Sequence, residues 1–450
     1  MNERKRLVFC AALGALLASL PIQAAADFQA QLEAARTRAD WLSEADLLAD
    51  RLSKAPKDTD LRAELISAWL KAGDPASAAS VLSEWPKSSL PPLSLRVEVL
   101  ERNEQADEAV ATLRRALAKE PGNAEAAQSL GRLLEAAGDT AGADAAYTQS
   151  IEAEATVEAL VARALLRASS DNLAAAQEDF QAAEAMDAKN PLVVRKQPVF
   201  ERLAEQKNLI ARSQERLKGK PLDPDGLNGL SVAYLRAGLY SAALKYAGLS
   251  LSVHPGGTLP RIVRAAATKN LNSDAIPEKD ILPAALDTMD FADLLRLGVA
   301  DRAVWGKPLN PAFLERRADL LSAVGQYRLG VIDLRMAIAG NPDNAPLYLK
   351  QNACALLAGD LPLAERSVAE IERLKPKSAL QAEALYQLGN YYLQESKFQR
   401  ALAYLNESIA IGGPNAVALA ARSRCHDSMG QPSAAAADRE LAKKTPPAKP

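Results

Sequence analysis

Two histidines, three cysteines and a scatter of aspartates are the residues of this 450-residue chain whose chemistry invites a catalytic or metal-binding reading. Neither His254 nor His426 belongs to a His-Glu-x-x-His run, and no Gly-x-Ser-x-Gly, Walker or dinucleotide fingerprint occurs. His254 precedes Pro255 at an expected helix end, where a cation offsets the helix dipole. Gly226-Leu227-Asn228-Gly229 is too sparse to cradle a phosphate and sits within an expected helix. Asp287, Asp290 and Asp293 are spaced i, i+3, i+6, whereas a calcium loop alternates its ligands around a glycine turn. Helix capping by Asp287 or Asp290, followed by solvated acidic residues, accounts for them better. The expectation is a protein that is not an enzyme, with no cofactor and no metal.

Composition describes the framework that such residues would need. Hydrophobic residues make up 48% and charged residues 24%, as in folded soluble chains. Alanine runs such as Ala174-Ala175-Ala176 and Ala434 to Ala437 favour helix, while strand-length β-branched clusters are scarce. Lys+Arg and Asp+Glu number 54 and 56, giving net charge −2, with no basic block to suggest a nucleic-acid partner.

The N-terminus is a separate object. Arg4, Lys5 and Arg6 precede the apolar stretch Leu7–Leu20, Pro21 breaks it, and Ala24-Ala25-Ala26 offers the small residues that a signal peptidase reads. Fourteen residues of helix span about 21 Å, short of the roughly 30 Å hydrocarbon core. Residues 1–26 are therefore expected to be a signal peptide cleaved after Ala26, leaving net charge −4 and no membrane span. The expected compartment is a bacterial periplasm. A retained anchor is the alternative. Phe9 before Cys10 is too bulky for a lipobox, and the apolar run follows that cysteine instead of preceding it.

Internal repetition decides the fold class. The recurring unit is a helix carrying Leu and Ala, then Gly-Asp or Gly-Gln, then a second helix with a small residue near its start, closed by proline. The clearest copy is Ala382–Asn415, with Leu388-Gly389, Tyr392, Phe398, Ala401 and Leu405. Copies also begin at Thr59, Leu90, Ala124, Pro224, Pro311, Ala345 and Ala416, and residues 157–191 continue the series. Several steps are 34 residues, and residues 27–57 read as an incomplete first copy.

This pattern resembles the tetratricopeptide repeat, in which an apolar and a small residue occupy the seventh and eighth positions. The eleventh is large, the twentieth small, and the thirty-second often proline. The resemblance implies an all-α fold, an α-solenoid of stacked helix-turn-helix repeats forming a right-handed superhelix. Small residues belong where paired helices cross, and large apolar ones fill the remaining space. No unit buries its apolar face alone, so neighbours must stack.

The expected organisation is an N-terminal array over 27–255, degenerate helices and a hinge over 256–310, a C-terminal array over 311–445, and a disordered tail, 446–450. Residues 192–223 read as a charged helix pair with little consensus. Pro277 and Pro283 should break any long helix in the 256–310 segment, where Asp280 joins the other aspartates. Cys354 and Cys425 both fall at the tenth position of a first helix, with one repeat between them. Helices pack about 8–10 Å apart, so these equivalent atoms should lie on the order of 20 Å apart. A disulfide needs Cα atoms within about 7 Å, and two free thiols are expected.

In peptide-binding members of the family the concave groove is lined by first-helix positions two, five, nine, twelve and thirteen. Carried over, these positions give Glu315, Asp319, Leu349, Tyr386, Asn390, Arg424 and Asp427. Asn390 lacks basic partners at the matching positions, so the carboxylate-clamping arrangement of some relatives is missing. The implied function is a non-enzymatic exported scaffold for a protein or peptide. A membrane-tethered assembly factor is the alternative. An enzyme or carbohydrate-binding module would need a pocket around 256–310, where Phe291 and Trp305 are thin provision for stacking a sugar.

Overall fold

The computed structural model describes residues 28–271, 281 and 289–445. The signal segment with Cys10, the residues Pro277, Asp280, Pro283 and Asp287, and the 446–450 tail lie outside them. Among the described residues every regular element is a helix. In chain order these are α1 (28–37), α2 (Trp41–Lys54), α3 (Thr59–Lys71), α4 (Pro75–Ser83), α5 (Leu93–Arg102) and α6 (Ala106–Lys119). They continue with α7 (Ala124–Ala136), α8 (Thr140–Ala153), α9 (Val157–Ser169), α10 (Leu173–Asp187), α11 (Pro191–Gly219), α12 (Pro224–Ala237) and α13 (Tyr240–Val253). Then come α14 (Thr258–Asn270), α15 (Phe291–Gly306), α16 (Pro311–Ala323), α17 (Tyr327–Gly340) and α18 (Ala345–Ala358). The last are α19 (Leu361–Leu374), α20 (Ala379–Gln394), α21 (Phe398–Gly412), α22 (Ala416–Ser428) and α23 (Pro432–Lys444).

Two compact units divide between Arg195 and Lys196. Within each, helices pair consecutively, as in α7 with α8 or α20 with α21, and second helices pack on the next first helix, as α8 on α9 and α21 on α22. Residues 256–310, expected as degenerate helices and a hinge, contain α14 and α15, and α15 packs against α12, α14 and α16 of its own unit. Residues 192–223 do not form the expected helix pair. They hold one helix, α11, with Pro198 inside it. No glycine stands where a first helix would have to end, and the run Glu201–Lys218 is rich in strong helix formers. One proline weakens such a helix without terminating it.

The crossing points obey size. Ala143, Ala364, Ala401 and Ala435, at the twentieth position of their copies, are completely buried. Gly131 and Gly389, at the eighth, lie against residues of the partner helix. A Cβ on Gly131 would sit 2.7 Å from the Tyr147 ring, and one on Gly389 would sit 2.8 Å from Leu405 Cγ.

The turn between paired helices also follows from residue type. Gly138 and Gly359 end their helices with φ +81° and +78°. Asp139 and Asp360 then cap the second helices, accepting hydrogen bonds from the amides of Gly142 and Leu363. Glu104 and Ser396 occupy the same fifteenth position with φ 60° and 57°, without glycine's freedom. The left-handed conformation costs a side-chain-bearing residue about 1–2 kcal/mol. Glycine carries a backbone-entropy penalty of its own, about 0.5–1 kcal/mol. Glu104→Gly and Ser396→Gly are each expected to stabilise the fold by on the order of 0.5–1 kcal/mol in urea titration. Destabilisation by either would contradict the turn geometry.

The seventh position departs from its expected apolar character in five copies: Arg96 and Gln351 occupy it in two, and a paired arginine does in the other three. Arg163, Arg317 and Arg422 stand there, each pairing with an aspartate sixteen residues later on the second helix: Asp179, Asp333 and Asp438. The contacts are two-pronged, at 2.6 and 2.9 Å for Arg163–Asp179 and 2.7 and 2.7 Å for Arg317–Asp333. A guanidinium fork matches a carboxylate in this way, so an ionic pair takes the place of an apolar contact between the paired helices.

Arg317 does more. Its Nη1 also reaches the completely buried Asp301 of α15 at 3.1 Å. The other carboxylate oxygen of Asp301 accepts from the amides of Thr258 and Leu259, at 2.9 and 2.8 Å. Helix α14 has no side-chain cap of its own, so Asp301 caps it from another helix. Asp290 caps α15 through the amide of Ala292, as expected of that residue.

Candidate binding groove

First helices also touch one another: α18 packs on α20, and α20 on α22. The expected groove residues lie along these helices in four distinct settings. Glu315 and Asp319 on α16 converge on Lys350 Nζ, at 2.9 and 2.7 Å. Burial opposes the lysine charge, yet the hydrogen bonds to Asp319 and Glu315 outweigh it and lift the ammonium above the usual lysine range. Leu349 is half-buried and packed on the core. Tyr386 is half-buried too. Burial, and then Glu383, push its phenol up, and Arg424 opposes them. Asn390 is half-buried and Arg424 exposed. Asp427 is drawn to Arg439 of α23 at 2.6 Å, so its charge is engaged within its own repeat.

Three features escaped the sequence reading. Lys350 lies one position beyond the expected set, and only the facing carboxylates on α16 reveal its role. Asn352 occupies the eighth position, where a small residue belongs, and is completely buried. Its Nδ2 donates to Gln387 Oε1 of α20 at 2.8 Å, while its Oδ1 has no hydrogen-bond partner. The third feature lies in the other unit, where α5 and α7 flank a cavity of about 340 Å³ with Val97 and Ala126 in its wall. Glu98, Glu101, Glu125 and Arg132 line it at positions nine, twelve, two and nine of adjacent copies. Arg132 pairs with Glu101 at 2.5 Å. The register holds the signal for this groove, since its residues stand at the same groove positions as those of the C-terminal copies.

Three signs now coincide: small residues buried at the eighth and twentieth positions, left-handed turns at the fifteenth, and groove positions along adjacent first helices. The helix pairs have the fold of tetratricopeptide repeats. No family model matches the chain, and no curated protein does. Among solved structures the chain is similar to MamA, at 15% identity over 33% of this chain and 85% of that one, with TM-score 0.30. Cut9–Hcn1, from an APC/C hetero-tetramer, matches at 14% over 93% of both chains with TM-score 0.29. PilF of Pseudomonas aeruginosa matches at 15% over 49% of this chain and 90% of that one, with TM-score 0.28. Likeness this loose says nothing about a ligand or a partner.

Cys354 and Cys425 are buried, unbridged thiols. Burial raises the Cys354 and Cys425 thiols above the usual range, which slows alkylation. In protein lacking residues 1–26, iodoacetamide should add nothing rapidly to the folded chain and two groups to the unfolded chain without reductant. Adducts that appear only after reduction would indicate a disulfide and break the register.

Proposed function

We propose that this protein is an exported, non-enzymatic scaffold of a bacterial periplasm that holds a protein or peptide against the first-helix face of its C-terminal repeats. The observation that supports this is the side-by-side packing of α18, α20 and α22, the helices that carry Leu349, Tyr386, Asn390 and Arg424. Aromatic and arginine side chains supply most of the energy at protein interfaces. The paired charges Glu315, Asp319 and Lys350 add orientation more than affinity. No helix among the described residues is long and apolar enough to cross a membrane.

Pull-down from an envelope fraction tests the assignment. The double variant Tyr386→Ala with Arg424→Glu should lose at least tenfold of the captured partner at unchanged melting temperature. Undiminished capture would move binding away from this face. Intact mass of the exported chain tests its export: a chain beginning at Asp27 is expected, and a retained N-terminus would make it a tethered assembly factor.

A further inference from the structure

Helix α12 differs from the other first helices in being buried all round: every residue from Gly226 to Leu235 is covered. Its pair α13 packs on it, and so do α14 and α15. Helix α11 lays Ser213 and Leu209 against Gly229, and α15 brings Gly298 close to Leu259 of α14 and to Asn228. A Cβ on Gly298 would lie 2.9 Å from Leu259 Cδ2 and 3.8 Å from Asn228 Nδ2. A cavity of about 400 Å³ remains between these helices, within the size range of ligand pockets.

Its chemistry is specific. Leu209, Leu259, Leu295 and Val299 form an apolar wall, and Val299 is 55% exposed at the mouth. Asn228 is 4% exposed; its Oδ1 accepts from Ser250 Oγ at 2.7 Å, while its Nδ2 makes no hydrogen bond to any described residue. Ser213, 3% exposed, brings a hydroxyl to the same space. Three guanidiniums ring the pocket. Arg216 bonds Asp223 and Asp225, both at 2.6 Å, and Arg302 bonds Asp225 at 2.5 Å. Arg212 donates through Nε to the Asn208 carbonyl of its own helix, and no carboxylate among the described residues meets its terminal nitrogens. Two carboxylates against three guanidiniums leave one net positive charge.

Donors without acceptors, one uncompensated cation and an apolar wall define the complement: a singly charged acceptor next to an apolar group. We propose that this pocket takes an acidic side chain, Asp or Glu, of a partner peptide together with an adjoining apolar side chain. An amide donor on the pocket wall and an exposed guanidinium both form stronger hydrogen bonds when the acceptor is a carboxylate. The apolar wall favours a ligand that carries an apolar group beside its anion. The site is independent of the C-terminal face, so either assignment can fail alone.

Titration of the full-length protein, followed by ligand-observed NMR, tests it with three peptides: acetyl-Leu-Glu-Leu-amide, its glutamine counterpart, and acetyl-Leu-Gln-Leu with a free C-terminal carboxylate. The glutamate peptide should bind at least tenfold more tightly than the glutamine amide. Arg212→Glu and Val299→Asp, both at exposed positions, should each weaken it tenfold or more at unchanged melting temperature. Equal binding of the two amides, indifference to Arg212→Glu, or no binding of any peptide would overturn the proposal. Preference for the free C-terminus would overturn it as well, because the ligand would then be a chain end.

Discussion

Replacing Asp301 with alanine should destabilise the second unit by about 3–5 kcal/mol, the cost of removing one partner from a buried charge network. Two amides of α14 would lose their acceptor, and Arg317 would keep only Asp333. Asp301→Asn should cost less, since the amide oxygen still accepts from one of the two N–H groups. Guanidinium unfolding of the three proteins measures the difference. An alanine variant within 1 kcal/mol of the parent would show that the network contributes little.

The pH dependence separates this network from an ordinary surface pair. Burial, the dominant influence on both groups, holds the Asp301 and Asp333 carboxyls above the usual range despite Arg317. The folded protein therefore binds protons in a window where the unfolded chain has released them. Their contribution to stability is complete below the unfolded pKa, near 4, and declines as pH rises through the folded values. The stability advantage of the parent over Asp301→Asn should widen as pH falls from neutral toward that window. A gap that narrows on acidification would reverse the sign and mean that Arg317 outweighs burial.

Gly131→Ala carries the second large effect, about 1–3 kcal/mol of destabilisation, the usual cost of overfilling a packed core. A methyl group there meets the Tyr147 ring at 2.7 Å, and that ring is nearly fully buried with its hydroxyl donating to Glu135 at 2.9 Å. The ring has little room to yield. Leucine occupies the matching place opposite Gly389, so Gly131→Ala combined with Tyr147→Leu should cost less than the sum of the single changes. Simple additivity would show that helix spacing is not set by this contact.

Much of this architecture was legible in the sequence because it is local. A left-handed turn at Gly138 or Gly359, an aspartate cap after it, and small residues at the eighth and twentieth positions depend on chain geometry within one hairpin. The Arg–Asp pairs sixteen residues apart were equally available: Arg163, Arg317 and Arg422 stand in register with Asp179, Asp333 and Asp438. An expectation of apolar character at the seventh position concealed them. The acidic groove between α5 and α7 was concealed in the same way, by applying the register to one half of the chain.

What the tertiary structure alone decided involves residues distant along the chain. Asp301 capping a helix more than forty residues earlier has no local signature, because a cap supplied from another helix leaves no spacing rule to read. Helix α11 runs through Pro198, because a single proline weakens a helix without ending it. The pocket over α12 exists only because α15 covers that face, and a helix's own periodicity does not tell which neighbour will cover it. Local sterics and hydrogen bonding determine the hairpin. Which surfaces remain open depends on where the apolar area of the other helices can be buried.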